Sequence, residues 1–115
     1  MPENVHECDL FLLTSHNAWN AEMSLESFAR IGRRNINGWG IGFYRDGISR
    51  VVRSEIPAAE EGTPSREFMA AIKAVSSDVI LGHLRKTTRG ANIVENNHPF
   101  KLNFLGYDWL MIHNG

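Results

Sequence analysis

Gly40-Ile41-Gly42-Phe43-Tyr44-Arg45-Asp46-Gly47-Ile48-Ser49-Arg50-Val51-Val52-Arg53 reads as two strands joined by Asp46-Gly47. Asp-Gly favours a two-residue type I′ turn because both turn residues must take positive φ, and the flanking residues are largely aromatic and β-branched. An antiparallel hairpin therefore anchors the reading. The glycines Gly38, Gly40 and Gly42 around Trp39 have the look of a phosphate-binding loop, but a dinucleotide fingerprint must open a helix and this stretch runs into a strand. Nucleotide binding is set aside. The glycines are expected instead to let the backbone pass close to the first strand and to Cys8.

Outward from the hairpin, Leu10 to Leu13 is a short apolar run ending in Thr14-Ser15-His16-Asn17, which suits a buried strand followed by a polar loop. From Ser24 the pattern turns helical, with Ser24 as N-cap and Leu25, Phe28, Ala29 and Gly32 at spacings of three and four. Glu55 to Gly62 reads as a linker. Thr63 then caps, and Pro64 opens, a helix carrying Phe68, Ala71, Ile72 and Val75 on one face. Asp78 to His83 is a strand, and after a polar loop Trp109 to His113 is another. Strands joined through hairpins and loops, with helices grouped between them, imply an α+β class rather than an alternating parallel sheet. The last strand runs straight into Asn114-Gly115 with no closing element, so a carboxyl-terminally truncated domain is expected.

With 115 residues, 43% hydrophobic and 22% charged, the composition is that of a globular protein with apolar material for one core. A formal net charge of −1 offers no attraction to a nucleic-acid backbone or an anionic membrane, so neither is expected as a partner. No segment approaches a membrane span and Met1 to Glu7 is not built like a signal peptide, which points to the cytoplasm. The five histidines show no ligand spacing of the Cys-x-x-Cys or His-Glu-x-x-His type. No metal and no cofactor are expected, and the histidines are read as isolated and satisfied. His98-Pro99-Phe100 is read as stiffening the segment before the last strand, since proline restricts its predecessor to extended conformations.

Cys8 is the single cysteine, which excludes an internal disulfide. If Met1 through Glu7 were removed, Cys8 would carry both a thiol and a free α-amine. Such an amine has a pKa of roughly 7.7 to 8.0 and can serve the thiol as its base. The competing reading is a buried structural thiol, a common fate of free cysteine.

Cys8, Asn37-Gly38-Trp39-Gly40-Ile41-Gly42-Phe43-Tyr44, Gly82-His83-Leu84-Arg85-Lys86-Thr87-Thr88, Asn97-His98-Pro99-Phe100 and His113-Asn114-Gly115 occur in that order. Together they resemble the amino-terminal part of a class II glutamine amidotransferase, the resemblance running from Cys8 to the end. It implies an N-terminal-nucleophile fold, a four-layer αββα sandwich of antiparallel sheets, of which the first half is expected here. On this resemblance residues 1–7 are a leader or propeptide and residues 8–115 the start of the amidotransferase domain.

The implied chemistry is attack of Cys8 on the side-chain amide of glutamine, giving a glutamyl thioester and ammonia, then hydrolysis. Asn114, through its side-chain amide, and Gly115, through its backbone N–H, would form the oxyanion hole. Read alone, Asn114-Gly115 is a turn dipeptide. Arg85 would clasp the α-carboxylate of glutamine with its planar fork, although with Lys86 and Arg89 it could equally be a solvated basic loop. Thr88 resembles the family threonine at the substrate's amino-acid end, and Lys86 would act through its backbone. Arg89 stands where several members have histidine and receives no role. The carboxylate for the substrate's α-ammonium is expected beyond position 115, and the ammonia acceptor would be another domain or subunit. Two rivals remain: a non-catalytic binding domain in which Glu7 still acylates Cys8, and an N-terminal-nucleophile hydrolase of another amide.

Overall fold

A computed structural model describes residues 8–32, 35–86 and 97–113. Four strands form an antiparallel sheet in the order β1 (Asp9–Trp19), β6 (Ser77–Leu84), β2 (Trp39–Arg45), β3 (Ile48–Ser54). The helices α1 (Glu22–Ile31) and α2 (Arg66–Ala74) lie in the connections, a two-stranded β4 (Ala59–Glu60) and β5 (Thr63–Pro64) precedes α2, and β7 (Phe100–Phe104) and β8 (Tyr107–Met111) form a separate hairpin. The class is α+β with antiparallel pairing throughout the described strands.

Register decides which side chains share a face. The rows Asp9–Leu84–Trp39, Phe11–Gly82–Ile41 and Leu13–Ile80–Phe43 point toward the helices. There they meet Leu25, Phe28 and Ala29 of α1 and Phe68 and Ile72 of α2 in one cluster. Trp39 meets Phe68 edge-on at 5.0 Å between ring centroids, and Phe28 tilts against Phe11 at 5.4 Å. Gly82 faces the Phe28 ring, so its missing side chain leaves room for it.

The opposite face carries Leu10–His83–Gly40 and Leu12–Leu81–Gly42. The β7–β8 hairpin covers its β2–β3 half. A Cβ on Gly40 would collide with the His98 carbonyl, and one on Gly42 would press on Pro99 and Leu110. Tyr44 donates its hydroxyl to the Asp108 carbonyl at 2.9 Å, and the Asp108 carboxylate accepts from the Ser49 N–H at 3.1 Å. Hydrogen bonds from Asn103 first, then from Ser49, hold the Asp108 carboxyl below its ordinary pKa. The β2 glycines thus accommodate the approach to β7. They do not bring β2 near the first strand, because β6 lies between them.

Local differences from the sequence reading have simple causes. Asp46 and Gly47 take φ of 53° and 77° as a type I′ turn requires, but Glu61-Gly62 and Leu105-Gly106 adopt the same pair of positive φ values without the Asp-Gly signature. They close β4–β5 inside the expected linker and β7–β8 inside the expected loop. Helix α1 starts before Ser24: the Asn20 side chain accepts from the Glu22 N–H at 3.0 Å. Ser65, not Thr63, caps α2 by accepting from the Phe68 N–H at 3.1 Å. The first strand is an edge strand that continues to Trp19, and Leu10 and Leu12 are 42% and 66% exposed rather than buried. Among the described residues no helix is long and apolar enough to cross a membrane.

Candidate active site at the Cys8 end of the sheet

Cys8 precedes β1 directly, and antiparallel pairing of Asp9 with Leu84 sets it beside the residues that follow β6. The Lys86 N–H donates to Cys8 Sγ at 3.2 Å, and the Lys86 carbonyl lies 3.6 Å from the same sulfur. Lys86 therefore meets the thiol through its backbone, whereas the sequence reading expected its backbone to act on the substrate. A main-chain donor and a main-chain acceptor of the same residue thus hold the sulfur in place. Cys8 is half-buried.

Arg85 lies between Leu84 and Lys86 and continues the β6–β2 pairing by one step: its N–H donates to the Gly38 carbonyl at 2.9 Å and its carbonyl accepts from the Asn37 N–H at 3.0 Å. Both of its main-chain groups are thus tied to the segment before β2. Its side chain is buried at 6% exposure, so the solvated-loop reading does not describe it. A buried guanidinium needs partners of opposite charge or good acceptors.

The lining was not legible in advance. Asn35 is buried and donates to the Asp9 carboxylate at 2.7 Å, fixing the residue after the nucleophile candidate. Asn97, fully buried, donates to the Ser54 carbonyl at 2.6 Å beside Gly38. Gly38 holds φ of 118°, a value side chains oppose, and a Cβ there would strike the Asn97 amide. The sequence signal for them was position alone: Asn97 opens the quoted Asn97-His98-Pro99-Phe100 motif, and Asn35 stands two residues before Asn37.

Three of the histidines are not isolated, and one of them, His83, is not satisfied among the described residues. His83 stacks on His98 at 4.2 Å with an interplanar angle of 19°, and His98 lies 4.3 Å from both the Phe100 and the His113 rings. Both nitrogens of His83 are buried without a hydrogen-bond partner among the described residues. Burial, followed by the neighbouring His98, lowers the His83 pKa to about 3, with the His113 main chain acting in the opposite direction. Burial, followed by His113 and Arg85, lowers the His98 pKa to about 4. Both rings are neutral at physiological pH. His98 Nδ1 accepts from the His113 N–H at 3.1 Å. Among the described residues no group of three His, Cys, Asp or Glu side chains is arranged to hold a metal ion.

Of the expected site residues, Cys8, Arg85 and Lys86 are brought together. Thr88, Asn114 and Gly115 lie outside the described residues, as do residues 1–7 and Arg89.

The sequence pattern of the family described as Glutamine amidotransferases class-II matches residues 7–115. An uncharacterized protein of Methanocaldococcus jannaschii is 32% identical over 108 residues, which cover 94% of this chain and 30% of that protein. A Haemophilus influenzae protein called "Putative glutamine amidotransferase" is 29% identical over 111 residues, 94% of this chain and 37% of its own length. The gamma-glutamyl-hercynylcysteine sulfoxide hydrolase of Mycobacterium tuberculosis is 37% identical over 84 residues, 73% of this chain and 33% of that enzyme. The chain thus spans about a third of the length of the relatives it matches.

Proposed function

Since the chain belongs to the class II glutamine amidotransferases, we propose that Cys8 hydrolyses the side-chain amide of glutamine through a γ-glutamyl thioester and releases ammonia. Residues 1–7 leave first, freeing the Cys8 α-amine. The thiol proton passes to that amine as sulfur attacks the amide carbon; the amine returns it to the departing nitrogen, which leaves as ammonia. Water then adds to the thioester, yielding glutamate and the thiol. Asn114 and Gly115 stabilise the oxyanion, while Arg85 binds the α-carboxylate and Thr88 the amino-acid end.

The observation that carries this reading is the Lys86 N–H on Cys8 Sγ, 3.2 Å, one residue from the buried Arg85. It joins the nucleophile and the carboxylate clamp at one end of one sheet. The layering also supports an αββα domain spanning 8–115 and continuing beyond it: helices cover one face of the four-stranded sheet and a hairpin half of the other. The ammonia acceptor is a further domain or subunit, and the site works without metal or cofactor, in the cytoplasm.

The experiment is steady-state glutaminase kinetics with the intact mass recorded in parallel. The mature mass begins at Cys8, Cys8→Ala abolishes turnover, and Arg85→Ala raises KM for glutamine by about 100-fold, the worth of a charge-assisted bidentate contact. A stable chain retaining Glu7, with no turnover, would instead mark a non-catalytic binding domain.

The Mycobacterium relative favours a second reading, since its name makes it a hydrolase of a γ-glutamyl compound other than glutamine. A panel of γ-glutamyl amides separates the two: a kcat/KM for a larger γ-glutamyl conjugate at least tenfold above that for glutamine would select the second.

A further inference from the structure

The histidine stack crosses from one layer of the fold to the other. His83 is on β6, two residues before Arg85, and pairs in register with Leu10 and Gly40. His98 precedes β7 and covers Gly40 with its carbonyl. His113 follows β8, one bond from Asn114. The rings run His83, His98, His113 with successive centroid separations of 4.2 and 4.3 Å. Within this column the His113 N–H donates to His98 Nδ1 at 3.1 Å.

That link has a direction and a tautomer. A nitrogen that accepts from an amide N–H is unprotonated, so the His98 ring is neutral with its hydrogen on Nε2. The ring cannot swing freely, since His83 lies on one side and Phe100 and His113 pack around it. Gly40 in turn fixes the His98 backbone against β2. The end of β8 is thereby referenced to β2, which pairs with the strand that leads into Arg85.

We propose that His98 is a positioning residue for amide hydrolysis, its Nδ1 fixing the main chain at His113, the point from which the candidate oxyanion segment departs. The inference rests on the amidase reading of Cys8. Arg85 then governs how tightly substrate binds, and His98 how well the charge developing on the amide oxygen is met once it is bound. A backbone displacement of about 1 Å at such a segment is enough to cost about 100-fold in turnover.

Three substitutions separate the acceptor from the packing. His98→Asn places its side-chain oxygen close to the position of Nδ1, His98→Gln moves the acceptor toward the position of Nε2, and His98→Leu removes it. The expected result is kcat for glutamine within about fivefold of the unsubstituted protein for H98N, and a fall of about 10- to 100-fold for H98Q and H98L, with KM changed by less than about threefold. Hydrogen exchange at the His113 amide, followed by NMR, should stay slow in H98N and quicken by about tenfold or more in the other two.

Should H98L fail to fold, H98N against H98Q decides. Equal losses in H98N and H98Q, or an H98L enzyme within twofold of the unsubstituted kcat, would overturn the inference while leaving the amidase reading intact. If the unsubstituted protein hydrolyses no γ-glutamyl amide, the amidase reading falls, and unchanged exchange at His113 in H98Q and H98L would overturn the positioning contact as well.

Discussion

The two hairpins β2–β3 and β7–β8 are closed by turns of the same geometry, yet their environments are opposite. Asp46-Gly47 and Leu105-Gly106 both place two successive residues at positive φ. Five of the seven residues of β2 are buried, between the helices on one face and the hairpin on the other. The β7–β8 hairpin sets Lys101, Asn103, Asp108 and Leu110 toward β2 and β3, while Leu102, Phe104, Tyr107, Trp109 and Met111 remain exposed on its far side. An apolar face of this size beside a polar one is the pattern of a layer that packs on both sides. The difference teaches that turn chemistry sets where a strand ends, and packing alone sets whether it is interior.

The sharpest break of the comparison is Gly40→Val, which drives a side chain into the His98 carbonyl. It should cost about 4 kcal/mol in urea unfolding, the upper end for overpacking because a backbone atom is the obstacle. Next, Ile41→Ala in β2 should cost about 3 kcal/mol, whereas Leu102→Thr in β7 should change stability by less than about 0.5 kcal/mol. Equal costs would erase the contrast between the strands.

Acidification tests the seam between them. His83 and His98 have folded pKa values of about 3 and about 4, below the ordinary 6.5. The unfolded chain therefore binds more protons below pH 6.5. Stability should fall by about 2 kcal/mol between pH 6.5 and 5.5 and further as pH drops toward 4, with Arg85 and His113 adding repulsion to each new charge. Replacing both rings by phenylalanine should flatten this part of the profile. The smallest effect is Leu105→Asn, which puts a residue tolerant of positive φ into the second turn and should stabilise by less than about 1 kcal/mol in the same unfolding assay.

These contrasts also explain what could be read without coordinates. Asp46-Gly47 announced its hairpin because aspartate and glycine both accept positive φ, while Leu105 and Glu61 occupy the same geometry against their preferences and announced nothing. Leu10 and Leu12 looked interior because an apolar run carries no information about which strands lie beside it, and β1 is an edge. Cys8, Arg85 and Lys86 were legible through the order of their motifs. The histidine column was not, because its rings come from three segments whose contact depends on Gly40 and Gly42 making room for His98 and Pro99. Asn35 and Asn97 were missed for the same reason: a buried amide is recognisable by its partners, and those lie 26 and 43 residues away.

The central claim is that the Cys8 sulfur becomes acylated by the substrate's side-chain carbonyl. Acid quenching during turnover of glutamine, followed by peptide mass analysis, measures this directly. The account predicts a γ-glutamyl adduct on an amino-terminal Cys8 peptide, formed with release of ammonia and absent from Cys8→Ala. Ammonia release at an undiminished rate by Cys8→Ala, with no adduct on Cys8 in the unsubstituted protein, would contradict it.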